Sequence, residues 1–179
     1  MERALTPGRG RLAGLGLALA LGLGLGAATV AAPALAEQPL AVNVKRLSLD
    51  TALKAAQAAM AKCRAEGLQV GVTVVTRDGQ PQVMLRDVLA PELTLRVSRR
   101  KAYTAASFDS PTSQLRSQAA GGLAHVPGLL FDAGAVPISA AGTLFGAIGV
   151  SGAPSGLSDE ACARAGAEAV QADLDMMQP

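Results

Sequence analysis

The sequence predicts an α+β domain, an antiparallel sheet with flanking helices in the order α-ββ-αα-ββ-α. Two observations carry this reading. Two pairs of short apolar runs are each joined by a tight turn, at Asp78-Gly79 and at Ala141-Gly142, which is the signature of β-hairpins. The segments between and around them repeat small apolar residues at helical spacing. Pairs of adjacent strands separated by helices point to antiparallel pairing and not to parallel βαβ units.

The elements follow in order. Ser48 is placed to cap a helix running to about Glu66, with Leu53, Ala56, Met60 and Cys63 along one stripe and Gly67 as its stop. In "LQVGVTVVTRDGQPQVMLRD", Val70, Val72 and Val74 alternate before the turn, and Val83 and Leu85 alternate after it. From Leu93 to Phe108 the pattern is helical again. Pro111 then breaks it, and a second short helix ends before Gly121-Gly122. "PISAAGTLFGAIGVSG" supplies the second hairpin, and Gly146, Gly149 and Gly152 thin one surface of its second strand so that another backbone can approach. Ser158 is expected to cap the last helix, with Asp159 and Glu160 in its first turn where they suit the helix dipole. Cys162, Gly166, Ala169 and Val170 lie along one side of that helix.

The chain has 179 residues, of which four are aromatic: Tyr103, Phe108, Phe131 and Phe145. Arg3, Arg9 and Arg11 precede an uncharged run from Leu12 to Ala36 that ends in Ala34-Leu35-Ala36. A basic start, an apolar middle and a small-residue end describe a cleavable signal peptide over residues 1–36. A retained transmembrane anchor is the competing reading, against which stand the many glycines of the run. The expected organisation continues with a linker over 37–46, a single domain over 47–173 and a C-terminal tail over 174–179. Removing the leader leaves 13 basic and 13 acidic residues. The mature protein is therefore neutral, and nucleic acid is not an expected partner. The expected location is periplasmic or secreted.

Export matters for Cys63 and Cys162, because an oxidising compartment permits a disulfide. A bridge requires that the first and last helices pack antiparallel on the same face of the sheet; parallel packing leaves two buried thiols.

The segment "SRRKAYTAASF" concentrates charge in a chain otherwise poor in it. On a helical wheel Leu95, Ser98, Ala102, Ala105 and Ala106 share one face, and Arg96, Arg99, Arg100, Tyr103 and Ser107 share another. Such a face is either a solvated surface or an anion site. Guanidiniums around a phenol suit carboxylates such as haem propionates, and phenolate is a known haem-iron ligand. His125, the only histidine, lies in the loop-like "GGLAHVPG"; alone it can serve as a single axial haem ligand but builds no multi-histidine site. There is no H-E-x-x-H, paired C-x-x-C, phosphate-binding loop or G-x-S-x-G. No base–nucleophile pair is evident beyond that histidine, so no residue is nominated as catalytic.

"KAYTAASF", "VPI", "GAIGVSGAPSG" and "SDEACARAGAEAV" together resemble the GlcG/HbpS family, which is also found as the C-terminal domain of PduO proteins. The resemblance runs from about Leu47 to Val170. It implies a profilin-like fold, homo-oligomers built from dimers and, in extracytoplasmic members, haem binding. Close relatives are expected to carry a histidine in a "PHT" stretch before this segment, and the matching position here is Leu93. Either iron ligation then falls to His125, Tyr103 or an oxygen such as that of Thr104, with Arg99 and Arg100 near the propionates, or haem binding is weak or absent. The expected function is an exported haem-binding protein for haem capture, storage or sensing. The alternative is a non-haem accessory protein that binds a small carboxylate metabolite on the same arginine face.

Overall fold

In a computed structural model the protein is described over residues 39–177. The expected leader and its cleavage site lie outside the described residues. The elements are α1 (Leu49–Ala65), β1 (Gly71–Thr76), β2 (Pro81–Arg86), α2 (Leu93–Phe108), two 3-10 segments (Thr112–Ala120 and Gly122–His125), β3 (Ala135–Ala140), β4 (Thr143–Ser151) and α3 (Gly156–Met176). This is the expected order. The second of the two middle helices is 3-10 rather than α; only Thr112 of it is buried, so no apolar face holds a longer α-helix in place.

The two hairpins join into one antiparallel sheet of order β2-β1-β4-β3. The join is the pairing of β1 with β4, from Gly71 opposite Ser151 to Thr76 opposite Gly146. All six residues of β1 are buried, because helices cover both faces of the sheet. Val72 and Val74 face a core built with α1 and α3. Val75 faces the other side, where Ala102, Ala105 and Ala106 of α2 pack with Ala135 and Ala147.

α2 lies close to the sheet because the side chains between them are small. A Cβ on Gly149 would stand 2.3 Å from the Ser98 carbonyl oxygen and 2.8 Å from the Ala102 nitrogen. Both obstacles are backbone, so α2 itself must move. Gly149→Ala is therefore expected to destabilise the domain by about 1–3 kcal/mol. Urea denaturation measures this, and an unchanged midpoint would contradict so close an approach.

α1 and α3 pack antiparallel. Cys63, near the end of α1, is disulfide-bonded to Cys162, near the start of α3, with a Cα–Cα distance of 5.6 Å. At the opposite ends Lys54 meets Asp173 at 2.7 Å. Between these points a Cβ on Gly166 would lie 2.6 Å from the Ala55 carbonyl oxygen, so glycine permits the helices to cross closely. Of the two arrangements open to the cysteines, the structure adopts the bridged one.

Two boundaries differ from expectation. The cap of α3 is Ser155, whose hydroxyl accepts from the Ser158 backbone N–H at 3.1 Å. Ser158 is thus the capped residue, because a cap precedes by three residues the donor it satisfies. α3 also continues through Met176 with Leu174 buried. Leu174 follows Val170 by one helical turn on the buried face, so the first residues of the expected tail belong to the domain.

Candidate functional site

The site is built on the side of α2 opposite its alanines. With Ser98, Ala102 and Ala105 held against the sheet, helical periodicity sends Arg96, Arg99, Arg100 and Tyr103 outward. These four line an open cleft of about 450 Å³, completed by Gly79 and Gln80 of the β1–β2 turn and by Pro127 and Gly128. Among the described residues that line it, none is acidic.

The far wall is positioned by three contacts between α2 and residues 129–131. The Arg100 guanidinium donates to the Leu129 carbonyl at 2.5 Å. The Thr104 hydroxyl accepts from the Leu130 N–H at 2.8 Å. Phe108 and Phe131 meet edge-on with ring centroids 5.5 Å apart. The chain just before this anchored stretch places Gly128 beside Tyr103.

Tyr103 is held between two glycines in the left-handed region, Gly79 at φ +78° and Gly128 at φ +95°. A Cβ on Gly79 would stand 2.3 Å from Tyr103 Cδ2, and one on Gly128 would stand 3.4 Å from Cε1. Glycine at 79 thus satisfies a turn conformation and makes room for the ring at once. The Tyr103 hydroxyl has no hydrogen-bond partner among the described residues. Arg99 is likewise exposed and unpaired among them. Arg96 meets Glu92 at 3.3 Å, with both side chains largely in solvent, a pairing of small energetic value.

The structure therefore brings together Arg96, Arg99, Arg100 and Tyr103 of the expected face and adds Gly79, Gln80, Pro127 and Gly128. It does not bring in Thr104 or His125. Thr104 is fully buried, and its hydroxyl donates to the Arg100 carbonyl at 2.9 Å while accepting from Leu130. One residue is about 100° of helix, which turns Thr104 away from the cleft that Tyr103 lines. His125 ends the second 3-10 segment, exposed, and is not among the lining residues. Leu93 begins α2 and lines a different depression with Lys101, Asp132 and Asp159. Ten helical residues, about 15 Å, separate it from Tyr103.

That second depression holds what the sequence reading missed. Lys101 stands beside Arg99 and Arg100 in the sequence, yet it is 2% exposed. Its ammonium meets Asp159 at 2.9 Å and Asp132 at 3.5 Å. Burial pushes the Asp159 carboxyl above its usual value, with Lys101 acting against the shift. Glu160 is also buried; it accepts from the Ser113 N–H at 3.0 Å and hydroxyl at 2.7 Å, tying the first 3-10 segment to α3. A signal for Lys101 was available: three residues after Ser98 and four before Ala105, it falls beside the alanine face on the wheel.

No cluster of three or more metal-ligating side chains occurs among the described residues. No described helix is long and apolar enough to cross a membrane.

A family model described as haem degrading protein HbpS-like matches residues 47–168. The chain belongs to the HbpS-like family. Among solved structures, the HbpS-like chain is 42% identical to a double mutant of HbpS from Streptomyces reticuli, with 77% of this chain and 96% of that chain covered and a TM-score of 0.69. The Klebsiella pneumoniae protein ORFY is 22% identical, with 74% and 96% covered and a TM-score of 0.69. A PduOC:haem complex is 24% identical, with 69% and 94% covered and a TM-score of 0.64. At those lower identities the likeness is one of fold. No match is found among curated proteins.

Proposed function

We propose that this HbpS-like chain is an exported haem-binding protein that captures, stores or senses haem, and that its α2 cleft holds the haem carboxylates. The observation that carries this reading is a cleft lined by Arg96, Arg99 and Arg100 with no acidic lining residue. Such a surface favours an anion, and guanidiniums pair with carboxylates in bidentate geometry. A cavity of about 450 Å³ falls in the range of small-molecule sites. The Tyr103 ring and Pro127 add apolar surface beside the cations, which suits a ligand with an apolar ring and charged arms. The residues present thus fit haem: Arg99 and Arg100 would hold its propionates, and the group itself would supply the redox-active iron. The family description and the haem complex of the PduOC protein point the same way.

Export is supported by the leader-like composition of residues 1–36. The buried Cys63–Cys162 bridge suits an oxidising compartment. A periplasmic or secreted location accords with both.

Titration of the leader-free protein with ferric haem is expected to give a saturable Soret change at micromolar haem. Arg99→Ala combined with Arg100→Ala is expected to weaken binding at least tenfold with the fold intact by circular dichroism. No saturable change, together with thermal stabilisation by a small hydroxy acid, would replace this reading with that of a small-carboxylate binder.

A further inference from the structure

We infer that Tyr103 makes the cleft selective for ferric haem: its phenolate oxygen ligates the iron, and one-electron reduction loosens the hold on the group. The inference rests on the haem-binding reading and concerns the iron, not the carboxylates.

The lining itself leaves few choices. Guanidiniums have no lone pair to offer a metal, glycine and proline side chains have no donor atom, and the Gln80 amide is a neutral, weak oxygen. Tyr103 alone among the lining side chains can become an anionic ligand. Its hydroxyl has no competing hydrogen bond among the described residues. Its ring orientation is set by Gly79 on one edge and Gly128 on the other, so ligation requires little ordering of the side chain. The two other expected ligands are absent from the lining, Thr104 because its hydroxyl is engaged on the buried side of α2 and His125 because it lies beyond the cleft.

Phenolate is a hard, charged oxygen donor and binds iron(III) more strongly than iron(II), following the matching of ligand and metal softness. When an external low-potential reductant supplies one electron, iron(III) becomes iron(II), the iron–oxygen bond breaks, and the phenolate oxygen takes one proton from solvent. Tyr103 is then a neutral phenol, and the arginines alone hold the ligand. The affinity difference between the two oxidation states is thus carried by one hydroxyl group.

The exported protein and its Tyr103→Phe variant are titrated with haem in air and, anaerobically, with excess dithionite. The unmodified protein is expected to bind ferric haem at least tenfold more tightly than ferrous haem. It is also expected to show a phenolate-to-iron charge-transfer absorption and tyrosinate bands in resonance Raman spectra. Tyr103→Phe is expected to lose these signatures and the tenfold difference while retaining the weaker, arginine-dependent binding; His125→Ala is expected to keep both. The substitution removes only a hydroxyl without a partner among the described residues, and circular dichroism checks that the fold persists. Equal affinity for the two oxidation states in the unmodified protein overturns the inference, as does a Tyr103→Phe variant with unaltered ferric spectrum and affinity; haem binding itself then still stands. Absence of saturable binding to both proteins in either state overturns the haem reading, and this inference with it.

Discussion

Replacing Cys63 and Cys162 together by alanine is expected to lower the stability of the domain by about 3–5 kcal/mol. The bridge closes a chain segment of 99 residues, and loop-closure reasoning assigns about 4.7 kcal/mol to a loop of about 100 residues. Few large side chains contribute to this core; the α1–α3 contact is made largely of alanines, with Gly166 at the crossing. Such packing contributes little apolar area per residue, so a covalent link between the two helices is a large share of a total stability that is itself about 5–15 kcal/mol. In a domain of this size the loss corresponds to a fall in melting temperature of roughly 15 °C. Both cysteines are fully buried, so a reductant is expected to act only after unfolding, and the same fall should follow heating and cooling in its presence. Scanning calorimetry of the unmodified protein and of the double variant measures the difference. An unchanged melting temperature, or two thiols alkylatable in the native protein without reduction, would contradict the bridge as a stabilising element.

Lys101→Met is expected to cost about 3–5 kcal/mol at neutral pH, for an electrostatic reason. Methionine fills most of the lysine's volume, but Asp159, 3% exposed, then has no cationic partner. Asp132 adds a further negative charge within reach of the same ammonium and turns from partner to repellent. The pH dependence identifies the cause. The native Asp159 carboxyl is raised above 3.8, burial being the largest cause and Lys101 acting against it. Between the unfolded value and this raised one the native state binds more protons than the unfolded state, so Asp159 makes stability fall as pH rises through that window. Removing Lys101 removes the opposing influence, lifts the carboxyl further and extends the fall to higher pH. The deficit of Lys101→Met is therefore expected to be smallest below about pH 3, where the carboxyl is largely protonated in both states, and full at neutral pH. Urea denaturation at the two pH values tests this. A deficit independent of pH would mean that lost packing, not an uncompensated charge, is responsible. Lys101→Met combined with Asp159→Leu should recover much of the loss, since a buried pair replaced by apolar side chains is often near neutral.

The sequence by itself determined the order of the elements, both hairpin turns and the two-faced character of α2. These properties are local. A turn needs its glycine within two residues of the strands it joins, and a helix repeats its faces every three or four residues, so Arg99, Arg100 and Tyr103 were legible as one outward group before any contact was known. Helix ends were less legible, because Ser155 and Ser158 are equally good caps by type and only the path of the chain into α3 chooses between them.

What the tertiary structure decided are relations between residues far apart in the chain. Pairing of β1 with β4 places α1 and α3 on one face of the sheet, and their antiparallel packing brings Cys63 to Cys162. α2 takes the other face. There Lys101, passing close to Gly134, meets Asp159, 58 residues later. The same placement brings Gly79 and Gly128 to the two edges of the Tyr103 ring and leaves His125 outside. Side-chain type and spacing specify the face of an element. Which residues meet across elements depends on the summed geometry of sheet pairing and close packing, which no single segment contains.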